Sequence, residues 1–297
     1  MVEHSFRKAE VEGSTPSIGL VGVDEKYNSL KEILGSFDRV VVACSGGVDS
    51  TLLAKAALDT LGKDNVLACI FTGPTQPESQ TKRAVKLADE LGLRLEQIKT
   101  SELESSDFCS NKADRCFHCK SHLYRFLGEL AKERNIEHIL CGSNLDDEDD
   151  YRPGNRAQKL FDVRAPLAEA GLTKNDIREI SRELGLSTAE MPASPCLASR
   201  IPYGQPITEE NLKQVEEAED FLKELGFVEF RVRHHGNLAR IEVKQDEIER
   251  ISVEPMREKV VNKLKSLGFN YVTIDMEGFR SGSLNEALSE EEKAENI

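Results

Sequence analysis

The stretch Val41-Val42-Ala43-Cys44-Ser45-Gly46-Gly47-Val48-Asp49-Ser50 decides the fold. Its first half is a β-branched run that reads as a buried strand, and Asp49–Leu61 has the apolar spacing of an amphipathic helix. Ser-Gly-Gly passes the chain directly from one to the other. Glycines let backbone N–H groups approach an anion, and a helix N-terminus attracts one. Ser45 and Ser50 add hydroxyl donors, and Asp49 adds a carboxylate. The G-x-x-x-x-G-K-[ST] spacing and its lysine are absent, so this is not a Walker A loop. On these residues alone it is either a phosphate-gripping loop built from Ser45, Gly46, Gly47, Asp49 and Ser50 or a Gly-rich turn before a capped helix.

Working outward, strand and helix patterns alternate. Arg39–Ala43, Asn65–Thr72, Leu93–Lys99 and His138–Gly142 read as strands, with helices over about Glu78–Leu91 and Phe117–Arg134. This alternation predicts an α/β fold, a doubly wound and mostly parallel sheet. Thr173 and Asp176 form a T-x-x-D start for a helix running to Leu184. Residues 191–206 hold four prolines and read as a linker loop. Beyond it a smaller α+β domain is expected. Its helix at Glu209–Leu225 precedes strands at Val228–His234 and Leu238–Val243, then one helix over Asp246–Leu267 and a last strand at Tyr271–Met276. The expected organisation is an extension at 1–23, the sheet domain at 24–190, the linker at 191–206, the α+β domain at 207–277 and a loose acidic tail at 278–297.

The 297 residues carry 39 basic and 53 acidic side chains, a net charge of −14. That acidity argues against a broad electrostatic grip on nucleic acid. No apolar run approaches the roughly 20 residues of a membrane span, and the polar N-terminus shows no secretory signal, so a cytoplasmic protein is expected. In such a setting the seven cysteines are reduced, ligating or catalytic rather than paired.

Three further motifs carry chemistry. Pro195-Cys196-Leu197-Ala198-Ser199-Arg200 places a cation four residues from a thiol, which suits a thiolate or simply a buried loop cysteine. Arg115-Cys116-Phe117-His118-Cys119-Lys120 has C-x-x-C spacing at a helix start. That spacing fits an iron–sulfur cluster, a zinc clip completed by Cys109 or His118, or two core cysteines. Gly142-Ser143-Asn144 follows a strand, so Gly142 and Asn144 are expected at the nucleotide; the acidic run 146–150 reads as a Mg²⁺ ligand or a solvated loop. Cys44, Cys69 and Cys141 read as small core residues. Arg231 and Arg233 share a strand face, with Arg240 on the partner strand, as either a bidentate phosphate grip or an ordinary polar face.

SGGVDS after a first strand resembles the PP-loop of the ATP pyrophosphatases. With Asp150-Tyr151-Arg152-Pro153-Gly154, Ala165-Pro166-Leu167 and the PCLASR segment, the chain from about Leu30 to Asp275 resembles the LarE family of ATP-dependent sulfur transferases. The resemblance implies adenylylation of a carboxylate on a pyridinium dicarboxylate mononucleotide, with Mg²⁺–ATP giving AMP and pyrophosphate, then conversion to a thiocarboxylate. It implies Cys196, Cys116, Cys119 and Arg200 as catalytic residues. It also favours Ser199, Arg231 and Arg233 at the substrate and its phosphate. In the three-cysteine branch, Cys116, Cys119 and Cys196 would hold a [4Fe–4S] cluster that relays sulfide from an external donor. Other members sacrifice the sulfur of the residue at the position of Cys196. Homo-oligomers are implied as well.

Three other readings compete. A tRNA 2-thiolation enzyme can combine a PP-loop with three cluster cysteines, but the −14 charge and PCLASR count against it. An amide-forming ligase would use ammonia and not require the cysteines. A non-catalytic nucleotide sensor would release no pyrophosphate.

Overall fold

The computed structural model describes residues 22–147, 151–192 and 194–296. Most of the expected N-terminal extension, and Asp150 with the rest of the acidic run beyond Asp147, lie outside them. Four strands, β1 (Val40–Ala43), β2 (Val66–Thr72), β3 (Arg94–Lys99) and β4 (His138–Leu140), form a sheet in the order β3-β2-β1-β4 with every pairing parallel. Because side chains alternate along β1, Val40 and Val42 join an apolar layer with the helices Val23–Gly35, Val48–Leu61 and Lys174–Glu183. Val41 faces the opposite layer, where Tyr124, Leu127 and Leu130 of the helix Arg115–Glu133 pack. Both faces are therefore covered, as parallel strands require.

Strand order reverses between β1 and β4. In a parallel sheet all loops after the strands emerge at one edge, and the crevice at such a reversal is where ligands bind. The PP-loop leaves β1 and the Gly142–Asp147 segment leaves β4, so the two flank that crevice.

A second sheet, β5 (Phe230–His235), β6 (Leu238–Val243) and β7 (Tyr271–Ile274), pairs antiparallel and then parallel, against the helices Glu209–Glu224 and Met256–Ser266. Two expectations fail here. The single helix over Asp246–Leu267 is broken into Ile248–Ser252 and Met256–Ser266, because Pro255 lacks the N–H that a helix interior needs. The acidic tail is not loose. Ser283 and Leu288 are buried, and Glu290–Glu295 forms a short helix with Ser289 and Glu292 in a capping box. A small apolar cluster built from Phe108, Leu197, Ala198, Ile201, Ile207, Leu212 and Val215 carries the Cys196 segment between the two sheets.

Candidate active site

The PP-loop is organised by its own hydroxyls. Gly46 turns the chain at φ +72°, and Ser45 accepts from the Gly47 N–H at 3.4 Å while its Oγ lies 3.2 Å from Ser50 Oγ. Ser50 Oγ also accepts from the Ser45 N–H at 3.1 Å, and Gln80 Nε2 donates to the Ser45 carbonyl at 2.7 Å. No side chain caps the helix that follows, so its first N–H groups face the crevice without a side-chain acceptor. Gly142 is pressed against this turn: a Cβ there would sit 2.9 Å from Ser50 N and 3.2 Å from Asp49 C.

Asp49 is clamped from two sides. Asn144 Nδ2 donates to Oδ1 at 3.2 Å, and Lys174 Nζ donates to Oδ2 at 2.5 Å. Lys174 was not singled out in the sequence, although it directly follows the T-x-x-D cap residue Thr173. It brings a cation to a phosphate loop that has no Walker lysine. Asp146 accepts from the Lys174 N–H, while Asp147 accepts from Asn144 N and pairs with Arg152 at 2.8 Å. These two carboxylates thus brace the loop.

Cys119 and Cys196 border one apolar cluster, and Cys116 acts electrostatically on both thiols, although Cys196 lies far along the chain. The Leu197 N–H donates to the Thr75 carbonyl in the loop after β2. Asn111 Nδ2 donates to the carbonyls of Ile201, Pro202 and Gln205, and its Oδ1 accepts from Arg115 at 2.5 Å. Arg115 is buried and lies 4.7 Å from the Tyr203 ring centre. Burial pushes the Cys119 thiol well up, with Glu102, Cys196 and Cys116 adding to the effect and Lys120 opposing it. Burial and Cys116 likewise raise Cys196, whereas the Arg115 and Arg200 charges pull it down. Among the described residues no three His, Cys, Asp or Glu side chains are arranged to hold a metal ion. His118 is 3.0 Å from Asp114, and the Cys109 thiol donates to the Leu103 carbonyl. Cys69 and Cys141 are buried, and burial pushes Cys44 up to about 12.

Two of the three arginines expected at the site, Arg200 and Arg233, are held in buried ion pairs. Arg200 is 2% exposed and makes a bidentate pair with Glu219 at 2.9 and 2.7 Å. Its remaining nitrogen donates to the Pro195 and Cys196 carbonyls and to Ser199 Oγ. It shapes the cysteine loop, and only its charge reaches the thiol. Arg233 is buried in a bidentate pair with Glu242, and it also donates to the Ser199 carbonyl and to Ser283 Oγ. Arg233, expected at the substrate phosphate, is thus held in a buried ion pair and ties the cysteine loop to the second sheet. Ser199, expected at the substrate, sits between Arg200 and Arg233. Arg231 lies over Phe279 and donates to the Phe230 carbonyl. Burial, then the nearby Arg200 and Arg233, lower it to about 10. Glu219 and Glu242 left no sequence signal, since each is one acidic residue among many.

Residues 24–116 match the NAD synthase family model. A pyridinium-3,5-bisthiocarboxylic acid mononucleotide synthase of Lactiplantibacillus plantarum is 38% identical over 91% of this chain and 97% of the relative. An uncharacterized protein of Synechocystis is 40% identical over 90% of this chain and 99% of the relative, and one of Methanocaldococcus jannaschii is 33% identical over 86% and 95%. With that identity running through both sheets, the chain belongs to the LarE family, the family of the pyridinium-3,5-bisthiocarboxylic acid mononucleotide synthase.

Proposed function

We propose that this protein is an ATP-dependent sulfur transferase that adenylylates a carboxylate of pyridinium-3,5-dicarboxylate mononucleotide and turns it into a thiocarboxylate. The observation that carries the reading is the convergence at one sheet edge. The phosphate loop after β1, the Asn144 loop after β4 and the cysteine loop pinned to Thr75 after β2 all open there. ATP is taken up by the N–H groups and hydroxyls of Ser45–Ser50, with Gly142 and Asn144 lining the crevice. Asp49 serves Mg²⁺ and Lys174 the phosphate charge. A carboxylate oxygen of the substrate displaces pyrophosphate from the α-phosphorus, and a sulfur nucleophile then expels AMP from the carbonyl carbon.

Cys116, Cys119 and Cys196 are the residues that would hold a [4Fe–4S] cluster. A single zinc draws sulfur ligands to ~2.3 Å of one point, whereas a cluster spreads thiolates over separate irons. Three mutually interacting thiols beside the charges of Arg115 and Arg200 suit such an anionic group. When bound, the cluster supplies a place to hold sulfide from an external donor. The protein's part is to keep the three sulfurs together, with Arg200 fixing the Cys196 backbone. Arg231 remains the substrate-phosphate residue of this reading. A cytoplasmic homo-oligomer accompanies it; among the described residues no helix is long and apolar enough to cross a membrane.

The test is anaerobic reconstitution followed by turnover with Mg²⁺–ATP, substrate and sulfide. AMP, pyrophosphate and repeated thiocarboxylate formation are expected, with iron binding lost in each Cys→Ala variant. ADP as the main product overturns the adenylylation. An iron-free enzyme whose Cys196 loses its sulfur in one turnover overturns the cluster and leaves the sacrificial route.

A further inference from the structure

The strong cations around the site are largely committed to protein partners. Arg115 is held by Asn111, Arg200 by Glu219, Arg233 by Glu242, and Lys174 by Asp49. Lys120 is different. It directly follows Cys119 and, among the described residues, its ammonium makes no hydrogen bond or ion pair. It also lies one turn from Cys116, on the same face of the helix Arg115–Glu133.

The stem of Lys120 is not loose. It lies against Gly154, where a Cβ would come within 2.5 Å of Cδ, 2.9 Å of Cε and 3.2 Å of Nζ. Gly154 opens the helix Gly154–Leu160, and Asn155 of that helix donates to the Asp147 carbonyl at 3.0 Å. Lys120 therefore spans the gap between the thiols and the loop that clamps Asp49. A half-buried lysine held there, with no counter-ion among the described residues, is a receptor for an anionic group of the ligand.

We propose that Lys120 binds the ligand carboxylate that is to be activated, and so selects a carboxylate over the isosteric amide. This rests on the substrate reading above. The ammonium forms and breaks no covalent bond; it donates a hydrogen bond to the carboxylate oxygen beside the thiols.

The test compares binding of two probes, nicotinic acid mononucleotide and nicotinamide mononucleotide, which differ only in carboxylate against amide. Wild type should favour the carboxylate by about tenfold or more, the scale of one charged hydrogen bond. In Lys120→Met the preference should collapse to within about twofold, with Mg²⁺–ATP affinity unchanged. Lys120→Arg should retain part of it. Gly154→Ala, which displaces the flexible stem without removing its charge, should also reduce it. A preference kept in Lys120→Met overturns the assignment while the substrate class stands. A wild type that binds both probes equally overturns the substrate class and this inference with it.

Discussion

Replacing Glu242 by alanine separates a buried structural charge from a ligand-binding one. Glu242 is wholly buried, and its oxygens take Arg233 Nε at 2.9 Å, Arg233 Nη2 at 2.8 Å and Arg240 Nη2 at 3.1 Å. Arg233 is itself 5% exposed. Without the carboxylate, its guanidinium keeps only the Ser199 carbonyl and the Ser283 hydroxyl. Breaking a buried pair from one side costs about 3–5 kcal/mol, because a charge is left out of water without its partner. That is the expected loss. Removing both charges in Arg233→Met/Glu242→Leu should restore most of it, since both desolvation penalties disappear together. The chain has no tryptophan, so urea unfolding is best followed by far-ultraviolet circular dichroism. A loss under about 1 kcal/mol in Glu242→Ala, or a double variant as unstable as the single one, refutes the reasoning. Either result would return Arg233 to the substrate phosphate.

Further outcomes follow from other parts of the molecule. Gly142→Ala places a Cβ against the backbone of Ser50, which cannot yield cheaply, and ATP binding measured by calorimetry should fall at least tenfold with the fold retained. Arg231→Ala should weaken substrate-nucleotide binding by ~1.5–3 kcal/mol, and unchanged affinity would reduce it to a packing residue. Because Cys196 is raised, its alkylation by iodoacetamide should be slow at neutral pH and climb above the ordinary thiol value; Arg115→Met, which removes a lowering charge, should move that profile further alkaline. His234 and His235 are held below the usual 6.5, by burial first and, for His235, by Arg240 and Arg233 as well. Stability present above 6.5 should therefore drain as pH falls through their depressed native values, and His235→Asn should flatten that slope in pH-dependent unfolding.

The parts of this fold that were legible from sequence are those specified locally. The run Val40–Ala43 is β-branched and buried on both sides, and the turn Ser45–Gly47 joins it to a helix, so strand, loop and sheet class could all be read from one stretch. The helix start at Thr173 was legible for the same reason. The site was legible where residue types are rare, as with the cysteines. It was obscure where identity depends on a distant partner. Alternation correctly places Arg231 and Arg233 on one strand, and Arg233 faces Arg240 across the sheet, but period-two spacing says nothing about a carboxylate buried between them. Glu242 pairs with Arg233, expected at the substrate phosphate, and Glu219 with Arg200, expected beside the thiol; neither partner could be read from spacing. The tail failed likewise: an acidic, polar composition hides a serine that reaches Arg233 and an asparagine that accepts from Tyr203 at 3.1 Å.

The loop that delivers Cys196 is gripped by its main chain. Asn111 takes three of its carbonyls and Arg200 takes two more, so placement of the thiol depends on these two anchors and on the buried Leu197, Ala198 and Ile201, and little on the loop's other side chains. Mutational tolerance should consequently be lopsided. Exposed or half-exposed positions such as Pro202 and Gln205 can drift while the cysteine stays in register. Asn111, a residue with no chemical part in the reaction, is a point of failure. A saturation library read by active-fraction sequencing would show it as intolerant as the cysteines, and a designer wishing to reshape the mouth of the site can vary the loop's outward side chains as long as Asn111, Arg200 and the buried Leu197, Ala198 and Ile201 are left alone.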